Sequence, residues 1–208
     1  MKPYIQVKRI LDIFFSFILL ITLFTIMLPI AILIKLDTRG PVIFKQSRLG
    51  KHGVVFEMYK FRSMVVNAER IGSGMYSFEG DPRVTRVGKW LRKTSLDELP
   101  QLMNILKGDM SFIGPRPVLV EHPWPYKEYT GEQKKRFEVL PGLTGLAQIN
   151  GRKQLSWNER IKLDVAYVKQ LSFFLDLMIL MKTIYVVLCN KNNVNTIVTN
   201  EKQKDRDC

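Results

Sequence analysis

The sequence predicts an α+β protein, mostly helical, with an N-terminal membrane helix, amphipathic helices at the interface and a small β-hairpin. Three observations predict it. Positions 13–34 carry no charged residue. Two strand-like runs, 42–46 and 54–61, flank the turn Gly50-Lys51-His52-Gly53. The second half shows helical spacing opened by capping signals. The expected division is a membrane helix over 1–36, a folded domain over 37–189 and a polar tail over 190–208.

The uncharged run would measure about 33 Å as a helix, close to the thickness of a bilayer core. Pro29 lies inside it and removes an i−4 hydrogen bond. Lys2, Lys8 and Arg9 precede the run, and Lys35, Arg39, Lys45, Arg48 and Lys51 come after it. Basic flanks prefer the cytoplasmic face. A re-entrant helix kinked at Pro29 satisfies both flanks, whereas a straight span satisfies one. Asp12 stands one turn from Lys8 and Arg9, which predicts a local salt bridge.

Length and charge bound the rest. The 208 residues suffice for one domain plus an appendage. Lys and Arg total 32 against 19 acids, a net +13, which calls for an anionic partner. Nucleic acid, anionic phospholipid and phosphorylated substrates all qualify. With Cys189 and Cys208 near one end and only His52 and His122, no zinc spacing exists. A metal here would be hard and oxygen-liganded, which points to magnesium.

In the middle of the chain, Lys45, Arg48, Lys60 and Arg62 lie on or beside the hairpin. They read either as a solvated basic surface or as a diphosphate cradle. Residues 71–81 read as a Gly- and Ser-rich loop, closed by the turn Asp81-Pro82-Arg83. A helix over 84–93 would put Arg86, Lys89 and Lys93 on one face, suited to headgroups or phosphates.

The densest chemistry lies between Arg92 and Pro117. Asp97 and Glu98 are adjacent acids at an expected helix start, with Gly108 stopping a helix over 96–107. Ser95 and Glu98 have capping-box spacing. Glu98 is therefore either a capping acid or a magnesium ligand. Asp97 is either a first-turn acid or a nucleophile toward phosphorus. A helix start would keep its anion available. Arg92 and Arg116 supply guanidinium forks that match phosphate oxygens. Pro115 and Pro117 restrict the backbone on both sides of Arg116. Asp109 is a second metal-site residue or a loop anchor.

Toward the C-terminus, Trp124, Tyr126 and Tyr129 fit an interface, a stacked base or partial burial. A short helix should end near Phe137. Asn150-Gly151 marks a turn, with Arg152 after it as a further anion clamp. Ser156 and Glu159 form a second capping-box pair, opening a helix to about Gln170 in which Asp164 is a polar exception on the apolar face. Residues 171–188 are apolar but broken by Asp176 and Lys182, which fits a core or interfacial helix.

Several of these motifs in this order resemble the small bacterial sugar transferases, the monotopic phosphoglycosyl transferases. They are Lys8-Arg9 with Asp12, Gly40-Pro41-Val42-Ile43-Phe44-Lys45-Gln46, Tyr59-Lys60-Phe61-Arg62-Ser63-Met64 and Asp81-Pro82-Arg83. Thr94-Ser95-Leu96-Asp97-Glu98-Leu99-Pro100-Gln101, Lys107-Gly108-Asp109-Met110-Ser111, Gly114-Pro115-Arg116-Pro117, Pro141-Gly142-Leu143-Thr144-Gly145 and Leu175-Asp176-Leu177 continue the series. The resemblance covers about residues 8–188. It implies transfer of a sugar-1-phosphate from a UDP-sugar to polyprenyl phosphate, with Asp97 as nucleophile and Glu98 tied to Mg²⁺. It also implies a re-entrant helix and a site at the cytoplasmic face of the inner membrane. Lys60, Arg62, Arg83, Arg92, Arg116 and Arg152 are the expected anion-binding residues, with Asp109, Pro115 and Pro117 in support. Two departures stand out. Leu28 precedes Pro29 where relatives commonly have serine, so the kink rests on Pro29, with Thr25 bonding back to the helix. Leu146 stands where relatives often have tryptophan.

Competing classes are a membrane-anchored nucleic-acid-binding protein, an Asp-dependent phosphohydrolase and a non-catalytic scaffold. No zinc finger, helix-turn-helix or RNA-recognition motif is visible, so no nucleic-acid partner is expected. For the oligomeric state, the expectation is a homodimer.

Overall fold

A computed structural model describes residues 3–74, 77–78, 80–151 and 155–188. The expected tail over 190–208 and the candidate clamp Arg152 lie outside the described residues. The fold is α+β and 57% helical, so helices set its shape and the sheets are local.

Helix α1 (Pro3–Asp37) runs unbroken through Pro29 by its hydrogen-bonding pattern. At 1.5 Å per residue it is about 52 Å long. Its apolar window has a mean hydropathy of 2.9, enough by length and composition to cross a membrane. Phe14, Phe17, Ile21, Phe24 and Leu28 are exposed on it. Pro29 has no amide to offer the carbonyl of Thr25. The Thr25 hydroxyl donates to the Thr22 carbonyl at 3.0 Å, the back-bond expected of it.

The other face of α1 packs on the folded domain along its length. Leu19, Leu20 and Leu23 pack against Met58, Leu102 and Ile105. Ile30 and Ile34 pack against Phe61 and Leu91. Both ends are pinned by polar contacts. Near the start, Lys8 donates to Asp176 at 2.6 Å and Tyr4 to the same carboxylate at 2.7 Å. Arg9 donates to the carbonyls of Ile105 and Leu106 at 2.6 and 3.0 Å. Asp12 is buried and accepts from the Phe112 amide at 3.1 Å. The local salt bridge expected of Asp12 gives way to this reach across the fold, because Lys8 and Arg9 are engaged elsewhere. At the far end, Asp37 accepts from the Val87 amide at 3.0 Å.

Strands β1 (Ile43–Leu49) and β2 (Val55–Phe61) form the expected antiparallel hairpin, in register from Ile43↔Phe61 to Leu49↔Val55. Strand β1 runs three residues past the predicted end, because Ser47, Arg48 and Leu49 find partners in Glu57, Phe56 and Val55. Two short strands come next, β3 (Ser111–Ile113) and β4 (Val118–Leu119). Strand β4 pairs with the end of β1, giving the order β2-β1-β4. Strand β3 pairs in parallel with β5 (Gly142–Thr144).

Helix α2 (Arg86–Thr94) starts two residues later than predicted, because Thr85 caps it by accepting from the Gly88 amide at 2.9 Å. The single helix expected over 96–107 is divided. Residues Leu96–Glu98 form a 3-10 turn, and helix α3 (Gln101–Lys107) begins after Pro100. Ser95 does not cap that turn. It terminates α2 in the left-handed region at φ 59°, its amide bonded to Arg92, and makes no side-chain cap. One residue cannot close one helix in that conformation and also open the next with its hydroxyl. The capping-box role of Glu98 is thereby ruled out. Gly108 ends α3 at φ 100°, the left-handed cap expected of glycine.

The remaining helices are α4 (Gly131–Lys134), α5 (Leu146–Ile149), α6 (Trp157–Gln170) and α7 (Phe173–Leu188). The capping box of Ser156 and Glu159 opens α6 as predicted. A second box, Thr130 with Gln133, opens α4, and a 3-10 turn carries the chain to Phe137. Tyr129 is 2% exposed, with its ring edge-on to Phe137 at 5.1 Å and Trp124 at 5.7 Å. This aromatic cluster packs with Leu49, Val118 and Ile161, so burial is its role. The cis bond among the described residues is His122–Pro123, away from Arg116.

Candidate active site

The turn between α2 and α3 presents Asp97 and Glu98 to the end of the hairpin and to the loop after β3. Lys60 on β2 donates to Glu98 Oε1 at 2.9 Å. Arg116 donates to the same oxygen at 2.7 Å. The two cations converge on one carboxylate oxygen and leave Oε2 without a protein partner among the described residues. Burial works against the Glu98 anion, yet Arg116 and Lys60 together hold its carboxyl far below the usual range. Glu98 is therefore a fixed negative charge.

Asp97 differs from its neighbour. It is 9% exposed, and its carboxylate has no hydrogen-bond partner among the described residues. Burial raises its pKa, and the adjacent Glu98 charge raises it further; Lys60, Arg92 and Arg116 pull the other way. The lowered pKa expected from a helix start is not found, because a 3-10 turn replaces the helix and burial dominates. Asp97 is a largely buried carboxylate with free lone pairs, within electrostatic reach of Lys60, Arg92 and Arg116.

Arg92 is oriented by two hydroxyls. Its Nε donates to Ser63 at 2.8 Å and its Nη1 to Ser77 at 2.7 Å. Burial lowers its pKa, while the charges of Asp97 and Asp81 raise it. Arg116 is 46% exposed at the side chain, but its backbone is held at three successive carbonyls. Pro115 accepts from the Gly142 amide at 2.9 Å, Arg116 from Arg136 at 3.0 Å, and Pro117 from Arg48 at 3.3 Å. Gly114 permits this close approach, since a Cβ there would lie 2.5 Å from the Leu140 carbonyl oxygen.

Lys60, Arg92, Asp97, Glu98 and Arg116 thus come together, with Pro115 and Pro117 framing the last. Two other candidates have different tasks. Arg62 is buried and closes the C-terminal end of α1, donating to the carbonyls of Ile34, Thr38 and Arg39 at 3.3, 2.6 and 2.9 Å. Arg83 is buried against Asp81 at 2.6 Å and donates to the carbonyls of Ala68, Ile71 and Gly74 and to Ser73. It folds the loop before α2. Asp109 accepts from Asn104 at 3.1 Å, the loop-anchor alternative. Asn104 also bonds the Tyr59 amide and the Glu57 carbonyl, closing the free edge of β2.

Of two further residues in this region, Arg48 was read with the hairpin cations as either basic surface or diphosphate cradle, and Arg136 was not among the candidates. Arg48 lies beside Arg116 and Glu98, and burial together with the Arg116 charge brings its pKa to about 10. Arg136 lies behind Arg116. Its sequence signal was Asp164, the polar exception on an apolar helix face, which needed a buried cation to match.

Among the described residues no group of three or more His, Cys, Asp or Glu side chains forms an all-protein metal cage. Magnesium does not require one, since it binds through one or two carboxylates and substrate phosphates. The unpartnered oxygens of Asp97 and Glu98 Oε2 fit that requirement.

A family model described as bacterial sugar transferase matches residues 3–190. The chain is 46% identical over 160 residues to the galactosyl transferase CpsE of Streptococcus agalactiae, covering 72% of this chain and 35% of that protein. It is 44% identical over 184 residues to the sugar transferase EpsL of Bacillus subtilis, covering 88% of each. It is 43% identical over 190 residues to a UDP-glucose:undecaprenyl-phosphate glucose-1-phosphate transferase of Klebsiella pneumoniae, covering 89% of this chain and 41% of that protein. The chain thus spans well under half the length of two of these relatives and nearly all of the third.

Proposed function

Because the chain belongs to the bacterial sugar transferase family, we propose that it moves a sugar-1-phosphate from a UDP-sugar to a polyprenyl phosphate. The reaction would open the membrane stage of capsule, exopolysaccharide or related glycan assembly. The observation that carries this reading is Asp97, a buried carboxylate with free oxygens facing Lys60, Arg92 and Arg116.

In this mechanism an Asp97 oxygen attacks the donor phosphorus that bears the sugar. The bond from that phosphorus to the bridging oxygen breaks, and UMP leaves with the electron pair. An acyl-phosphate-linked phosphosugar remains on Asp97. A phosphate oxygen of the polyprenyl acceptor then attacks the same phosphorus, breaks its bond to Asp97 and restores the carboxylate. Burial favours the first step, since a more basic carboxylate is the better nucleophile. Anion meeting anion opposes it. Arg116 and Arg92 offset that repulsion with planar donors suited to phosphate oxygens. Glu98, itself held by Lys60, keeps Arg116 near its target before substrate arrives. Mg²⁺, held by Glu98 and Asp97, would neutralise charge on the donor diphosphate.

The attachment of α1 bears on its membrane placement. Lys8 and Arg9 at one end of α1, and Asp37 and the carbonyls gripped by Arg62 at the other, attach to a single folded domain. A helix whose two ends bind one domain supports a re-entrant, monotopic placement over a span with its ends on opposite sides. The exposed Phe173, Phe174, Met181 and Ile184 of α7 extend the apolar surface. Arg86, Lys89 and Lys93 on α2 suit anionic headgroups, which agrees with the inner membrane and its cytoplasmic face.

UMP release by the full chain, measured with Mg²⁺, undecaprenyl phosphate and a panel of UDP-sugars, tests the reading. Asp97→Asn should abolish release and leave membrane binding intact. Without acceptor, the native protein should give one stoichiometric burst of UMP. Continuous turnover without acceptor would identify a phosphohydrolase, and a phosphosugar trapped on another residue would overturn the role of Asp97.

A further inference from the structure

Behind the site lies a second charged pair that the proposed mechanism does not use. Arg136, in the 3-10 turn after α4, and Asp164, on α6, are 3% and 2% exposed. Arg136 Nη2 and Nε both reach Asp164 Oδ2, at 2.6 and 3.1 Å. The pair is poorly satisfied as a stabilising device. Asp164 Oδ1 is buried with no hydrogen-bond partner among the described residues. A buried ion pair with an unpaired atom is often no more stable than apolar side chains of the same volume.

What the pair does achieve is a third bond. Arg136 Nη2 also donates to the Arg116 carbonyl at 3.0 Å. Arg116 is the half-exposed guanidinium that meets Glu98. A continuous chain therefore runs from Asp164 through Arg136 to the Arg116 backbone, and from the Arg116 side chain to Glu98. The adjacent carbonyls of Pro115 and Pro117 are held from other elements, by Gly142 and Arg48. Among the described residues, only the Arg136 bond grips the Arg116 carbonyl itself.

We propose that Arg136, oriented by Asp164, is a positioning residue that fixes the direction from which Arg116 meets the donor diphosphate. It touches no reacting atom. Its contribution is the fixed geometry of a clamp, where a displacement of about 1 Å can cost on the order of 10²-fold in rate. The inference rests on the sugar-phosphate transfer proposed above.

The test replaces both partners together. Arg136→Met with Asp164→Leu leaves the net charge unchanged and strands neither member of the pair as a lone buried charge, and thermal denaturation checks that the domain stays folded. In the full chain, UMP release should fall on the order of 10²-fold. Arg116→Ala should lower it at least as much. Combining all three substitutions should cost little beyond Arg116→Ala alone, because the tether acts only through Arg116. Losses that multiply would overturn the proposal. A second readout needs no activity. Hydrogen exchange at the Gly142 amide, which bonds Pro115, should speed up in the double variant at unchanged global stability. Unchanged exchange would equally overturn it. If the native chain transfers nothing while exchange responds, the transfer reading fails and the tether stands.

Discussion

Two arginine–carboxylate contacts of nearly equal length divide this molecule into scaffold and site. Arg83 meets Asp81 at 2.6 Å, and Arg116 meets Glu98 at 2.7 Å. In the first, both side chains are enclosed, and the guanidinium also binds three carbonyls and a hydroxyl. In the second, the guanidinium is 46% exposed and the carboxylate keeps one oxygen unpartnered among the described residues. Distance does not separate the closed pair from the open one. What separates them is the bonding capacity left over for a ligand.

The largest expected effect breaks the closed pair. Arg83→Met would leave Asp81 as a buried, uncompensated charge and release the 68–74 loop. The thermal midpoint should drop on the order of 10 °C. Activity per folded molecule should change through Arg92, whose Nη1 bonds Ser77, between that loop and Asp81. Thermal denaturation of the purified chain checks the first statement, and activity normalised to folded protein checks the second.

Arg116→Ala should do the reverse. UMP release should fall on the order of 10²- to 10³-fold, the usual effect of removing one preorganised donor. The thermal midpoint should stay within about 2 °C, since a half-exposed ion pair adds little to stability. A large loss of stability from Arg116→Ala would break the contrast between the two pairs.

Much of this was legible from the chain. Gly50-Lys51-His52-Gly53 between two β-rich runs forecast the hairpin, and Ser156 with Glu159 forecast the start of α6, because both signals are local. Asp97 and Glu98 were legible as adjacent acids in a strongly basic chain. Arg62 and Arg83 were not legible as scaffold, because their acceptors are mainly backbone carbonyls, which every residue carries. Ser95 misled because its spacing to Glu98 fits a capping box, while its backbone is already used to end α2. The reach of Asp12 to Phe112 spans 100 positions and has no local signature.

The closed pair also carries a pH signature that thermal denaturation can read. The side-chain hydrogen bond from Arg83, working against burial, brings Asp81 to about 2. An unfolded aspartate titrates near 3.9, so the folded pKa is the lower one. The resulting stability is fully present above about pH 4 and is lost as pH falls toward about 2. Asp81→Asn should therefore lower the thermal midpoint markedly at pH 6, and the difference from the native chain should shrink between pH 4 and pH 3. A difference constant down to pH 3 would mean that packing, not charge, holds that loop.

The smallest effect isolates the variable on which the comparison depends. Lys45 and Glu57 form a third contact, at 3.1 Å across the hairpin, with 57% and 55% of their side chains exposed. If length governed strength, this pair would rank close to the other two. If enclosure and spent bonding capacity govern it, solvent screens the pair and Lys45→Ala changes stability by less than about 0.5 kcal/mol. Chemical denaturation resolves that limit, and the change should stay small between low and high salt. A cost comparable to that of Asp81→Asn would mean that exposure is not what distinguishes these pairs, and the freedom assigned to Arg116 would then need another cause.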